Sequence, residues 1–271
     1  MTTQFTPLAF HDLQTCLIRA PHEVLFAMKK FGAELFVAGG FVRSCVANEP
    51  INDVDLFCSS KDRAMEIAKV IATYGHENRP NEIFETDNAY TVKGFRYAIQ
   101  VIHRWTFTEA KNCIESFDFT IARGAFWWSN KIIPTELKAI VQPDGTHPIA
   151  DLPENKWYSL CDVRFYQDLA SKRLTYCQPV RNEDAGGSLL RVLKFYQRGF
   201  RIPLDDMGAV LSRLMMGVRM EHIEAKNEAE WFVPIEHKLA EAITKQLRMV
   251  DPEIDPRHIA HLPSAKETYT P

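Results

Sequence analysis

The sequence predicts an α/β domain followed by an all-α domain. Three observations predict it. Up to about residue 150, short β-rich runs punctuated by glycine alternate with an amphipathic helical stretch. Beyond that point, four long stretches show helical periodicity. Between the two patterns lies Gln142–Trp157, which holds Pro143, Gly145, Pro148 and Pro153, a composition suited to a connection. The expected division is therefore 1–150 and 151–271.

The elements follow in order. From His11 to Gly32, Leu13, Leu17, Val24, Leu25 and Met28 recur at helical spacing around Pro21, which splits the stretch into two short helices. Glu34–Ala38 is an apolar run ending at Gly39-Gly40 and reads as a strand; Phe41–Ala47 reads as a short helix. Asp53–Cys58 alternates acidic and apolar residues, as a strand does, and Lys61–Tyr74 is an amphipathic helix. Glu82–Phe84, Tyr90–Lys93, Tyr97–His103 and Phe117–Trp127 read as further strands, the last rich in Phe, Thr, Ile and Trp. The helical periodicity then covers Tyr158–Leu169, Glu183–Phe200, Met207–Val218 and Glu221–Met249, and Asp251–Pro271 reads as an irregular tail.

Composition removes whole classes. At 271 residues with 46% hydrophobic and 25% charged residues, the chain is neither disordered, collagenous nor a coiled coil. No run of 18 apolar residues exists, and Met1–Phe10 lacks the basic and apolar regions of a signal peptide, so a cytoplasmic protein without membrane contact is expected. A net charge of −3 excludes a uniformly basic nucleic-acid coat while leaving a local basic patch open. Cys16, Cys45, Cys58, Cys113, Cys161 and Cys177 form no CxxC pair and no zinc spacing, and read as reduced core thiols.

The chemistry concentrates in Phe36-Val-Ala-Gly39-Gly40-Phe-Val-Arg43 and Asn52-Asp53-Val54-Asp55-Leu56. Residues two apart in a strand share a face, so Asp53 and Asp55 present two carboxylates side by side. Their repulsion is relieved by a divalent cation, and oxygen ligands on an open face suit Mg²⁺. The alternative is a solvated strand end. The two glycines lead into a short helix, where the absence of Cβ lets a phosphate approach backbone N–H groups, and Arg43 lies one turn in.

This order of strand, Gly-Gly, helix and Asp-x-Asp strand resembles the nucleotidyltransferase fold shared with DNA polymerase β, and more narrowly the head domain of class II tRNA nucleotidyltransferases (CCA-adding enzymes) and bacterial poly(A) polymerases. Two further blocks fall in that family's order: Ser116-Phe117-Asp118-Phe119-Thr120-Ile121, and the first neck helix at Leu189-Leu190-Arg191-Val192-Leu193-Lys194-Phe195 with Gly199-Phe200-Arg201-Ile202. The resemblance spans about residues 34 to 203 and implies a mixed-sheet head followed by a helical neck and body. It further implies that Asp53 and Asp55 hold two Mg²⁺ ions and carry catalysis, and that Gly39, Gly40 and Arg43 lie along an NTP triphosphate. Asp118 matches the position approaching the nucleotide sugar, and Arg191 falls on the nucleotide-binding neck helix. The implied substrates are ATP and/or CTP and an RNA 3′ end, most plausibly of tRNA.

The chain departs from the family at defined positions. Ser44 replaces the Asp of the Gly-Gly-x-x-Arg-Asp stretch, Ser116-Phe117 replaces Arg-Arg, Gln100 stands at the place of a third supporting carboxylate, and Ala185 and Ser188 replace the base-selecting Asp and Arg. Arg reads a base edge with paired donors that Ser lacks. Only about 70 residues follow Ile202, too few for a large tRNA-clamping tail. Arg191, Lys194, Arg198, Arg201, Arg213 and Arg219 offer positive charge that can follow an RNA backbone or simply face solvent, with Lys194, Arg198 and Arg201 the leading RNA-binding candidates. Of Trp127 and Trp128, one is expected to face the core. His103 reads as structural, and His222 and His237 have no partner at ligand spacing.

Three functions are compatible with this pattern. The first is template-independent, Mg²⁺-dependent addition of nucleotides to an RNA 3′ end. The second is a toxin- or defence-type nucleotidyltransferase acting on tRNA or protein. The third is a non-catalytic RNA-binding or assembly module that kept the fold.

Overall fold

A computed structural model describes residues 5–75, 80–130, 157–178, 186–228 and 235–248. Helices α1 (Phe10–Arg19) and α2 (His22–Phe31) come first, and the break between them is set by Pro21, which forces Ala20 into extended backbone. Strand β1 (Phe5–Thr6) precedes them, and β2 (Phe36–Ala38) follows a single 3₁₀ turn. Next come α3 (Gly40–Val46), β3 (Asp53–Phe57) and α4 (Lys61–Thr73). Ser60 caps α4, its hydroxyl accepting from the Arg63 N–H at 3.1 Å. Ala64, Ile67, Ala68, Ile71 and Ala72 form the buried stripe of α4 at spacings of three and four.

Strands β4 (Ile83–Glu85), β5 (Ala89–Val92) and β6 (Ala98–Ile102) complete one half of the sheet. Helix α5 (Ala110–Glu115), a 3₁₀ turn at Thr120–Ala122, β7 (Gly124–Trp128), β8 (Trp157–Asp162) and α6 (Phe165–Ala170) complete the other. The result is one eight-stranded sheet in the order β1-β8-β7-β2-β3-β6-β5-β4. Among the described residues β3–β6 pairs parallel and the other neighbours pair antiparallel, so the sheet is mixed, as expected.

Two expectations change in this half of the chain. The strand expected over Phe117–Trp127 begins only at Gly124; before it Phe119 makes one isolated antiparallel bridge to Tyr176, and Thr120–Ala122 turns as a 3₁₀ helix. Arg123 Nε donates to the Phe117 carbonyl at 3.0 Å and Nη2 to the Glu115 carbonyl at 2.9 Å. The helix expected over Tyr158–Leu169 is instead β8 followed by the short α6. Trp157 through Gly124's partner Cys161 pair antiparallel with β7, and that ladder overrides the helical spacing.

The chain divides into two compact units, Met1–Pro179 and Val180–Pro271. Because β8 and α6 belong to the sheet-bearing unit, the division falls later than 1–150 and 151–271; Pro143, Gly145, Pro148 and Pro153 lie outside the described residues. The second unit contains α7 (Gly187–Gln197), α8 (Leu204–Glu228) and α9 (Ile235–Arg248), with a non-helical connection over 198–203. Helix α8 runs on past Val218, where a break was expected, because Arg219 and Met220 are good helix formers. The tail from Asp251 lies outside the described residues.

Candidate functional site

Strand β3 alternates as its sequence requires. Val54 and Leu56 are fully buried on one face, while Asp53 and Asp55 are half-buried on the other. Hydrogen-bonded beside it, β6 places Ala98 opposite Asp53 and Gln100 opposite Asp55. The Gln100 amide Nε2 donates to Asp53 Oδ2 at 3.4 Å. So the position where a third carboxylate was expected carries a neutral donor that engages the pair.

The electrostatics follow chiefly from burial, with like-charge repulsion second at Asp55. Burial pushes the Asp53 carboxyl above its ordinary range, and nearby Arg43 pulls it partly back. Burial, and secondarily the charge of Asp53, push Asp55 up to about 7. Asp55 therefore sits near half-protonation at neutral pH without a cation.

The Gly-Gly turn stands at the end of β2. Gly39 has φ 84°, a conformation open to glycine, and the Phe117 ring lies 3.6 Å from where a Cβ would project. Its N–H donates to the Gly124 carbonyl at 2.9 Å, so Gly39 itself has no amide to offer a phosphate. Its carbonyl accepts from the Arg43 N–H at 3.2 Å. The first-turn N–H groups of Gly40, Phe41 and Val42 have no acceptor within α3. Any anion contact falls to those three amides.

Arg43 is buried, with Nε 3.4 Å from Glu49 Oε2 and Nη2 donating to Ser44 Oγ at 3.3 Å. Glu49 also takes Lys172 Nζ at 3.2 Å. Ser44 thus fills the place of the family's Asp with a hydroxyl that steers the guanidinium, while that guanidinium still lowers the Asp53 carboxyl.

Asp118 is buried, 2% exposed, and its carbonyl accepts from Cys177 N–H at 2.8 Å. Its neighbour Phe117 packs against Gly39 and against Phe57 of β3, ring centroids 5.8 Å apart. The Ser116–Asp118 block therefore sits beside the Gly-Gly turn, with an aromatic ring where the family has Arg. Behind it lies a polar network that sequence spacing does not disclose. Arg123 is 4% exposed and faces Asp162 at 3.5 Å, and fully buried Asp168 accepts from Thr120 Oγ1 at 2.7 Å. The one signal for it is Arg123 in a run, Phe117–Trp128, whose other polar side chains are Asp118 and Thr120.

The remaining expected residues lie in the second unit or away from the pair. Arg191 is half-buried on α7; Lys194 is exposed one turn further along it, Arg198 is exposed at its C-cap, and Arg201 is exposed just beyond. Ser188 is buried. Trp127 faces the core, stacked 6.0 Å from Tyr158, and Trp128 is half-buried. His103 packs its ring 4.6 Å from that of Tyr90. No disulfide joins any of the six cysteines. Among the described residues no group of three or more His, Cys, Asp or Glu side chains could hold a metal, and no helix is long and apolar enough to cross a membrane.

The eight-stranded mixed sheet and its flanking helices define a nucleotidyltransferase-like α/β fold. A CCA-adding enzyme solved with ATP shares it at a TM-score of 0.51 and 18% identity, over 96% of this chain and 55% of that one. Another, solved with CTP, shares it at 0.50 and 17% identity, over 96% and 54%. Residues 13–172, more than half of the chain, match the family described as Gabija anti-defense 2 family protein, and the chain belongs to that family. A relative, Gabija anti-defense 2 of Bacillus phage SPbetaL7, is 30% identical over 107 residues, 38% of this chain and 24% of that protein. The chain thus spans about half the length of the enzymes it resembles, and the match covers about a quarter of the phage relative.

Proposed function

We propose that this protein is a Mg²⁺-dependent nucleotidyltransferase that transfers a nucleotide from an NTP, ATP or CTP, to an RNA 3′ end, and that the transfer serves to disarm a bacterial defence of the Gabija type. The observation that carries the chemistry is Asp53 and Asp55 on one open strand face, with burial and mutual repulsion holding Asp55 up to about 7. Two hard oxygen donors side by side fit Mg²⁺. Bound there, Mg²⁺ would supply charge neutralisation of the triphosphate and a more acidic 3′-hydroxyl.

The chain's own residues do the rest. Asp53 and Asp55 hold the cation. The Gly40, Phe41 and Val42 amides offer donors for phosphate oxygens, and Arg43 adds positive charge beside Asp53. Gln100 holds the Asp53 carboxylate in place. In the reaction the 3′-oxygen bonds to the α-phosphorus, the bond from α-phosphorus to the bridging oxygen breaks, pyrophosphate leaves with the electron pair, and the hydroxyl proton passes to solvent. Membership of the Gabija anti-defense 2 family supports the counter-defence setting over housekeeping tRNA repair.

The test is incubation of the protein with Mg²⁺, each α-labelled NTP in turn, and RNA from Gabija-bearing cells, including tRNA with and without its 3′ CCA. Labelled RNA that vanishes with Asp53→Ala/Asp55→Ala supports transfer; RNA extended equally by both proteins contradicts it. The non-catalytic reading rests on Gln100 in place of a carboxylate and on buried Ser188 in place of the selecting Arg. It is favoured if the double variant still protects phage from Gabija.

A further inference from the structure

Asp55, Gln100, Thr91 and Phe84 are successive partners across four strands: Asp55 pairs with Gln100, Gln100 with Thr91, and Thr91 with Phe84. Directly paired residues share a sheet face, so all four lie on the face that carries the carboxylate pair. The opposite face of these strands is closed, with Val54, Ile99, Val101, Tyr90 and Val92 buried. On the carboxylate face Asp55, Gln100 and Thr91 are half-buried, and Phe84 on edge strand β4 is 39% exposed. Exposed Lys93 holds its ammonium 4.7 Å from the centroid of the Phe84 ring.

The Phe84 ring and the Lys93 ammonium thus form an exposed aromatic–cation pair on edge strand β4, on the same face as the carboxylates. The chemistry here selects an occupant. A phenyl ring stacks any base, because every base has a π face. A lysine resting on that ring in water is held weakly, so a phosphate can draw it away. Three interstrand spacings of ~4.8 Å place the ring ~14 Å from Asp55. At ~3.4 Å per stacked nucleotide, that is about four nucleotides from the reacting end. A nucleotide triphosphate held at Asp53 and Asp55 does not account for a ring that far out; a polynucleotide does.

We propose that Phe84 and Lys93 form a platform for single-stranded RNA, Phe84 stacking a base and Lys93 pairing with a phosphate, about four nucleotides upstream of a 3′ end directed at Asp53 and Asp55. The proposal rests on the transfer reading for the direction of the strand, but the platform itself is tested by binding alone.

The experiment titrates the full chain into a fluorescently labelled eight-nucleotide single-stranded RNA and a labelled dinucleotide, in EDTA and without NTP, and reads anisotropy. Phe84→Ala is expected to weaken binding of the longer RNA about 5–50-fold. Phe84→Leu, which keeps apolar bulk, weakens it similarly, and Phe84→Tyr restores it. Lys93→Ala lowers the slope of log affinity against log salt by ~0.7. None of these changes binding of the dinucleotide. Absence of single-strand binding by the wild type, equal loss at both lengths, rescue by Leu as well as Tyr, or equal Phe84 dependence with a duplex of the same length overturns the platform. The two readings fail separately. Phe84-dependent RNA binding without nucleotide incorporation sinks the transfer reading and keeps the platform. Incorporation that needs Asp53 and Asp55, with RNA binding indifferent to Phe84, sinks the platform and keeps transfer.

Discussion

Gln100 stands opposite Asp55 across the parallel β3–β6 ladder and reaches over to Asp53, its amide Nε2 3.4 Å from Oδ2. A neutral amide there spares the pair a third negative charge and spends a donor on orienting one of its members. Gln100→Glu reverses both effects. The variant is expected to bind Mg²⁺ about tenfold more tightly and to melt at a lower temperature without metal, because three like charges crowd one face. Calorimetric titration and metal-free melting check it; unchanged Mg²⁺ affinity shows that residue 100 does not face the cation.

The raised Asp55 carboxyl has a pH consequence whose sign is fixed. Its folded value of about 7 lies above the ordinary 3.8, so the folded chain holds this proton more tightly than the unfolded chain does. The favourable contribution is full below about 3.8 and is lost as pH rises through about 7. Asp55→Asn removes the ionisation. Without metal the variant is expected to match wild type only below about pH 3.8 and to exceed it by a growing margin as pH rises, up to about 4 kcal/mol at pH 8 and less as solvent screens the half-buried carboxyl. Saturating Mg²⁺ reverses the order at pH 8, since only the carboxylate binds the cation.

Gly39 tests the turn that places α3 beside the carboxylates. At φ 84°, with Phe117 3.6 Å from a would-be Cβ, Gly39→Ala strains the backbone. A loss of about 1–3 kcal/mol in urea unfolding is expected. Gly40→Ala, at a position without positive φ and with Arg43 Nη2 as its near neighbour at 3.9 Å, should cost less in stability than Gly39→Ala.

Arg123 tests the support beneath the Asp118 block. Its guanidinium is 4% exposed, donates to the Phe117 and Glu115 carbonyls, and faces Asp162. Arg123→Ala strands a buried carboxylate and two carbonyls, and is expected to cost about 3–5 kcal/mol. An unfolding loss below about 1 kcal/mol would show that the network carries no net stability.

Much of the sheet-bearing unit was legible because its signals are local. Pro21 marks the α1–α2 break, Gly39-Gly40 marks the turn, and the alternation of Asp53, Val54, Asp55 and Leu56 gives both the strand and its two faces. What was not legible depends on distant partners. Helical spacing over Tyr158–Leu169 yields to a ladder with β7, and the apolar run before Gly124 yields to hydrogen bonds from Arg123. At the site, the carboxylate pair was readable as a pair. The alignment of Phe84 with Asp55 was not, since it requires knowing the register of four strands at once.

The central claim is that Asp53 and Asp55 drive nucleotide transfer. Release of pyrophosphate from each NTP, measured with Mg²⁺ and RNA for wild type and for Asp53→Asn/Asp55→Asn, tests it most directly. The account predicts RNA-dependent release that the double variant loses by at least about a hundredfold, with the variant folded to the same melting transition or a higher one. Equal release by both proteins, or none by wild type with any NTP, would contradict it.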